Sequence, residues 1–309
     1  MTRDKARFLA SERALWASRG IAPSDRRVPL RSGPTIRIQE LGDGPPVVFV
    51  HGAAVAGASW IDLAVGLRDD FRCILVDRPG CGLSDPVPHG PLRNPADYKS
   101  FADRLLPDLL DALALDTAHA VSTSMGGFFA FRAVMTEPGR FTKLVEMSWP
   151  MGSPMARVPL MMRVGAIGPL KAMTSRMPIT RSVLRAMLKQ VGMKRAIETG
   201  TFDDDNLDWC LALLAHTDTL GSETANNSFI SWRGENPDYL FTDAELQRVD
   251  IPVLLLWGDE DPNGTRAEAE AFAARLPDAR LEMVARAGHA PWIDERSLCT
   301  ERTRSFLLG

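Results

Sequence analysis

Cysteine is scarce: Cys73, Cys81, Cys210 and Cys299 are the only four in 309 residues. They form no C-x-x-C pair and no Cys/His cluster, which excludes zinc-ribbon and thioredoxin-like sites. A Cys73–Cys81 bridge is conceivable by spacing. A chain of this size needs no such staple, so four reduced and mostly buried thiols are expected. Charge of one sign is also lacking. The 36 Lys and Arg stand against 39 Asp and Glu, a net charge of −3. That balance predicts no electrostatic footprint for nucleic acid or an anionic membrane. No apolar run approaches the ~18 residues that a membrane helix needs. The opening stretch MTRDKARFLASERALWASRG has basic residues but no apolar h-region, so it does not read as a secretory signal. A soluble cytoplasmic protein is expected. Repeats, low-complexity tracts and charge blocks are missing, and Asp203-Asp204-Asp205 reads as a solvated turn or helix cap.

What remains is ordinary globular sequence, 45% apolar and 24% charged, with enough apolar surface to offset the entropy of ordering. Residues 3–19 read as an amphipathic helix carrying Phe8, Leu9, Leu15 and Trp16, within an N-terminal extension of residues 1–25. Short strands are expected near 26–30 and 35–41. Continuous apolar runs follow at 46–50, 73–76, 119–121, 144–147, 253–257 and 281–284, each reading as a strand buried on both faces. Helical patterns fall at 58–68, 97–113, 126–136, 264–275 and 291–307. This alternation predicts an α/β fold, a mostly parallel sheet with helices on both faces. It breaks between Met151 and Asp250, where no buried strand is expected. Nine methionines lie from Met147 to Met193, and residues 151–250 read as an inserted helical subdomain. The sheet domain is therefore expected in two parts, 26–150 and 251–309.

In an open parallel sheet, ligands bind at the carboxyl ends of the strands. The residues that follow the apolar runs are His51-Gly52-Ala53-Ala54, Asp77-Arg78-Pro79-Gly80-Cys81-Gly82, Ser122-Thr123-Ser124-Met125-Gly126-Gly127, Gly258-Asp259-Glu260-Asp261 and Gly288-His289-Ala290-Pro291-Trp292. A serine needs a base to become a nucleophile, and histidine titrates in the range a proton shuttle requires. Ser124 and His289 are the candidates for these roles. Asp261 would orient His289 and stabilise its charged form, with Asp259 and Glu146 as alternatives. Ser124 would sit before a helix beginning at Met125, so the Met125 N–H would serve a developing oxyanion. Gly80-x-Gly82 lacks the third glycine of a dinucleotide fingerprint, and no P-loop, H-E-x-x-H or EF-hand pattern exists. No metal or cofactor is inferred. His51 reads as structural, and His89, His119 and His216 as loop, strand or cap residues.

These five motifs, in this order, resemble the α/β-hydrolase family, whose triad runs Ser, acid, His along the chain. The resemblance covers nearly all of residues 26–309 and puts the helical insertion in the place of the family's cap. Ser122-x-Ser124-x-Gly126 matches the G-x-S-x-G nucleophile elbow except that Ser122 replaces the first glycine. The resemblance implies Ala53 N–H as the second oxyanion donor, favours Asp261 through the G-x-x-D pattern, and makes the 77–82 loop architectural. It disfavours dehalogenase and epoxide-hydrolase activities, whose elbows carry a carboxylate. It implies instead a carboxylesterase acting on a small apolar ester through an acyl-enzyme. Two alternatives stand beside it. One is a carbon–carbon bond hydrolase of ring-opened diketo acids, since such members carry a similar Ser-Met-Gly-Gly elbow and need a cation for the substrate carboxylate. The other is a receptor-like member with negligible turnover; perhydrolysis and lyase chemistry are further uses of the same triad. Trp149, Met151 and Trp292 are the expected pocket residues. Met155, Met161, Met162, Met173, Met177, Trp209 and Trp232 are further candidates for the wall, and Arg163, Lys171, Arg176, Arg181 and Arg185 for a carboxylate.

Overall fold

The structure is a computed structural model that describes residues 4–87, 92, 94–158, 163, 179–226 and 228–309. Its main sheet has eight strands. These are β1 (Ser24–Pro29), β2 (Thr35–Leu41), β3 (Pro46–Val50), β4 (Arg72–Val76), β5 (Ala118–Ser122), β6 (Phe141–Met147), β9 (Val253–Gly258) and β10 (Ala279–Val284). The spatial order is β1-β2-β4-β3-β5-β6-β9-β10. β2 pairs antiparallel with both β1 and β4, and the remaining pairs are parallel.

The apolar runs are continuous because the inner strands feed two cores. Val48, Val50, Ile74, Val76, Val253 and Leu255 enter the core on one face. Their neighbours Val47, Phe49, Cys73, Leu75, Leu254 and Leu256 enter the core on the other. Successive side chains of a strand point to opposite faces, so a strand covered on both sides needs apolar residues at every position. The first core is closed by α3 (Pro95–Ala112) and α4 (Met125–Thr136), through Tyr98, Leu105, Phe128 and Phe131. The second is closed by α1 (Lys5–Ser18) and α2 (Ile61–Leu67), through Phe8, Leu15, Trp16 and Leu63.

Helix α1 therefore packs on the domain. Arg19, just past its end, pairs with Asp62 of α2 at 2.9 Å and with Asp203 at 2.8 Å. Between β6 and β9 the described chain is mainly helical. It carries α5 (Arg181–Leu188), α6 (Lys194–Thr199), α7 (Asp204–His216), α8 (Thr219–Asn226) and α9 (Asp243–Leu246). Its strands are one two-residue ribbon, β7 (Ile230–Ser231) with β8 (Gly234–Glu235). Two expectations are corrected. The strand expected near 26–30 begins at Ser24, because β1 pairs with β2 as far as Ser24↔Glu40. The helix expected over 291–307 breaks at Glu295, whose φ of −131° and ψ of 60° separate Pro291–Asp294 from Arg296–Leu308. All four cysteines are buried and unbonded. No described helix is long and apolar enough to cross a membrane.

Candidate active site

Strand β5 ends at Ser122 and α4 begins at Met125, so the chain reverses over Thr123 and Ser124. Ser124 adopts φ 54° and ψ −122°, a region that costs a non-glycine residue about 1–3 kcal/mol. Its surroundings enforce it. The Thr123 hydroxyl donates to Met147 O at 2.6 Å, and Ser124 O accepts from Met151 N at 2.9 Å and Gly127 N at 3.0 Å. The glycines that follow are imposed by close approach. A Cβ on Gly126 would lie 2.0 Å from Val50 O, and one on Gly127 would lie 2.5 Å from Glu146 Oε1.

Ser122, the departure from the elbow pattern, has a partner. Its hydroxyl donates to Glu146 Oε2, and the same carboxyl accepts the Ser124 N–H. Glu146 is fully buried. Burial pushes its carboxyl well above the usual carboxylate range, offset in part by those two hydrogen bonds. Glu146 is thus engaged by the elbow, and its Oε1 has no partner. Ser122→Gly restores the family residue but strands a buried oxygen. We expect it to destabilise the protein by about 1–3 kcal/mol, read as a lower urea midpoint. An unchanged or raised midpoint would show that the Ser122–Glu146 bond contributes nothing.

His289 follows β10 on a loop whose backbone is tied down. His289 N donates to Gly192 O at 3.0 Å, and Gly288 N donates to Asp294 Oδ2 at 2.9 Å. His289 Nδ1 lies 2.8 Å from Asp261 Oδ2 and 3.1 Å from the Asn263 side-chain amide. The Asp261 side chain is wholly buried. It also accepts from Trp149 N at 3.0 Å and Asn263 N at 2.9 Å. With Asp261 accepting, the His289 proton sits on Nδ1 and Nε2 is left as the basic nitrogen. Asp259 is exposed instead. Among the described residues no hydrogen bond joins Ser124 Oγ to His289, yet both line one cavity of about 310 Å³. Neither the Ala53 nor the Met125 backbone N–H has a partner among the described residues, and both residues line this cavity.

The cavity wall is apolar. Trp149, Met151, Met155, Trp209 and Trp292 line it, joined by Leu184, Met187, Phe202 and Phe229. Trp232 does not join them: it is 60% exposed, at the turn between β7 and β8. No Lys, Arg, Asp or Glu occurs among the described lining residues. Arg181 and Arg185 pair with Asp204 and Asp208 on the surface, and Arg163 donates to Trp232 O. Met161, Met162, Lys171, Met173, Arg176, Met177 and His89 lie outside the described residues. No group of His, Cys, Asp and Glu able to hold a metal ion occurs among the described ones.

One cluster beside the site was not anticipated. Arg78 is buried and donates to His51 O at 2.9 Å, Gly52 O at 2.8 Å and Glu223 Oε1 at 2.6 Å. The sequence marked its loop as architectural, but nothing local points to Glu223, which is 145 residues away.

A family model described as the alpha/beta hydrolase family matches residues 47–299. Carboxylesterase YbfK of Bacillus subtilis (strain 168) is 25% identical over 269 residues, covering 86% of this chain and 81% of that protein. The 2-hydroxy-6-oxononadienedioate/2-hydroxy-6-oxononatrienedioate hydrolase of Cupriavidus pinatubonensis is 27% identical over 283 residues, covering 88% and 91%. The crystal structure of carboxylesterase CesB (YbfK) from Bacillus subtilis superposes with a TM-score of 0.75 at 20% identity, covering 98% of each chain. The sheet order, the helices on both faces and the matched span agree, and the chain belongs to the alpha/beta hydrolase family.

Proposed function

We propose that the protein is a serine hydrolase that cleaves neutral, apolar carboxylic esters through an acyl-enzyme on Ser124. The observation that carries this is the cavity: Ser124 and His289 open into one space whose described lining is uncharged and almost wholly apolar. An ester buried there needs no counter-ion. A carboxylate buried there does, since an unpaired charge in such surroundings is strongly disfavoured.

In this reading His289 Nε2 takes the Ser124 proton as Oγ attacks the ester carbonyl. The Ser124–His289 hydrogen bond forms as substrate fills the cavity, as is common for sites whose catalytic contacts tighten only in the complex. Asp261 holds the imidazole by its Nδ1–H and stabilises the cation that forms. The carbonyl electrons move onto oxygen, which the Ala53 and Met125 N–H groups receive. Collapse of this intermediate expels the alkoxide, protonated by His289, and leaves the acyl-enzyme. Water then repeats the sequence and releases the acid. Residues 151–250 act as the cap, and this segment supplies most of the described apolar wall, with Leu184, Met187 and Leu188 on α5 and Trp209, Cys210 and Leu214 on α7.

A second reading is supported by the relatives named for a dienedioate: carbon–carbon bond hydrolysis of a ring-opened diketo acid. One panel separates the two. Turnover of short- to long-chain p-nitrophenyl esters is expected to exceed turnover of a vinylogous diketo diacid by at least about 10²-fold in kcat/KM, since a buried unpaired carboxylate costs several kcal/mol. Preference for the diacid would overturn the ester reading. Covalent labelling by a fluorophosphonate without turnover of either would favour a binding protein.

A further inference from the structure

We propose that Arg78 is a positioning residue of the oxyanion hole, clamping the Gly52–Ala53 peptide so that Ala53 N–H faces Ser124, with Glu223 of α8 holding the clamp. The proposal rests on the hydrolase reading of Ser124 and deepens it.

The hydrogen bonds set the direction of that peptide. Arg78 N–H donates to His51 Nε2 at 3.0 Å, so this nitrogen is unprotonated and the ring proton is on Nδ1. His51 Nδ1–H then donates to Gly52 O at 2.7 Å. Complete burial favours this neutral imidazole, lowering the His51 pKa well below its ordinary value. Arg78 Nη2–H donates to the same oxygen at 2.8 Å. Gly52 O therefore has two donors on one side. The peptide is trans, as are all the described peptides, so its C=O and N–H point in opposite directions. A carbonyl drawn to Arg78 and His51 turns the Ala53 N–H the other way, where Ala53 lines the Ser124 cavity. Gly52 is close enough to Ser124 that a Cβ on it would lie 3.3 Å from Ser124 Cβ.

The loop needs such a clamp. Ala54 has a φ of 57°, a conformation an alanine holds only when its surroundings enforce it. Arg78 is suited to the task because its rigid fork reaches His51 O, Gly52 O and Glu223 Oε1 at once, which a lysine ammonium cannot reproduce. Glu223 supplies the charge that lets a buried guanidinium persist. Helix α8 also grips the 77–82 loop that carries Arg78, where Gly82 N donates to Thr219 Oγ1 at 2.9 Å. The orientation of an oxyanion donor is thus tied to the seating of a helix from the 151–250 segment.

The test uses Arg78→Lys and the double variant Arg78→Met/Glu223→Met, which replaces the buried ion pair by apolar side chains. Two inhibitors of similar shape are compared. An alkyl trifluoromethyl ketone forms a hemiketal: Ser124 Oγ bonds to the carbonyl carbon, the carbonyl electrons move to oxygen, and His289 keeps the serine proton. The matching methyl ketone binds without forming that bond. We expect both variants to lose about 10²-fold in kcat on p-nitrophenyl esters, the scale of a misplaced catalytic donor. KM should stay within about twofold of the parent, as for an interaction made only in the transition state. Affinity for the trifluoromethyl ketone should fall with kcat, while that for the methyl ketone holds. A folded variant whose kcat stays within about threefold of the parent overturns the proposal, as does an unchanged ratio of the two ketone affinities. If the parent turns over no ester, the hydrolase reading fails alone and the ketone ratio still reads the clamp. A parent that does not prefer the trifluoromethyl ketone overturns both.

Discussion

Ser124→Ala is expected to lower ester turnover at least about 10³-fold, the loss seen when a member of such a triad is removed. The substitution is unusually clean here. Alanine keeps the Cβ, so the backbone strain at φ 54° is unchanged, as is the approach to Gly52. The Ser124 backbone bonds to Met151 and Gly127 do not involve the lost hydroxyl. Folding stability should therefore move by no more than about 0.5 kcal/mol. Affinity for a non-reacting apolar ligand should hold, because the cavity wall is apolar side chain rather than serine oxygen. Ser122 is the natural control, since its hydroxyl is fully buried and committed to Glu146. The measurement is turnover of a p-nitrophenyl ester by purified protein, with fluorophosphonate labelling in parallel. Turnover near the parent level would remove Ser124 from the chemistry, and labelling that persists in the variant would point to another nucleophile.

The largest expected effect on stability lies away from the cavity. Arg37 of β2 is 2% exposed. It reaches Glu12 of α1 at 2.5 Å, Asp25 of β1 at 2.5 Å and Asp77 after β4 at 3.4 Å. One guanidinium thus serves carboxyls from three elements. Burial raises the pKa of both Glu12 and Asp77 despite Arg37. Arg37→Met is expected to cost about 3–5 kcal/mol, the penalty for leaving buried partners unpaired. The loss should be greater at pH 8 than at pH 5. A carboxyl with a raised pKa in the folded state contributes stability that is complete below its unfolded pKa and declines as pH rises through the folded one. Without Arg37 the folded pKa values rise further, so the decline steepens. Urea denaturation at the two pH values reads this directly. A loss below about 1 kcal/mol at both would show that solvent or the remaining donors satisfy the cluster.

Much of the fold was legible because the signals are local. A strand covered on both faces must be apolar at every position, and Val47 to Val50, Cys73 to Val76 and Val253 to Trp257 say so within a few residues. The residues just beyond those runs were legible for the same reason, since an open parallel sheet gathers its strand ends at one edge. Ser124, His289 and Asp261 could be named this way; Ser124 and His289 line one cavity, and Asp261 is buried behind the imidazole, against its Nδ1. The sequence favoured Asp261 over Asp259 only by a pattern, and burial separates them: the former is enclosed and takes three donors, the latter faces solvent. Trp232 was read as wall on residue type alone, which does not say which side of a ribbon meets the cavity.

The sequence by itself determined the layered architecture, and it pointed to an insertion between two sheet strands and to Ser124 and His289 as candidate nucleophile and base, with the acid left between Asp261 and its alternatives. Each follows from patterns within a turn or a strand length. Only the tertiary structure decided the buried pairings: Ser122 with Glu146, Arg37 with Glu12, and Arg78 with Glu223. Such pairs join side chains from 24 to 145 residues apart. What selects them is the cost of leaving a charge or donor unmatched away from water, a quantity that exists only once the chain has closed around it.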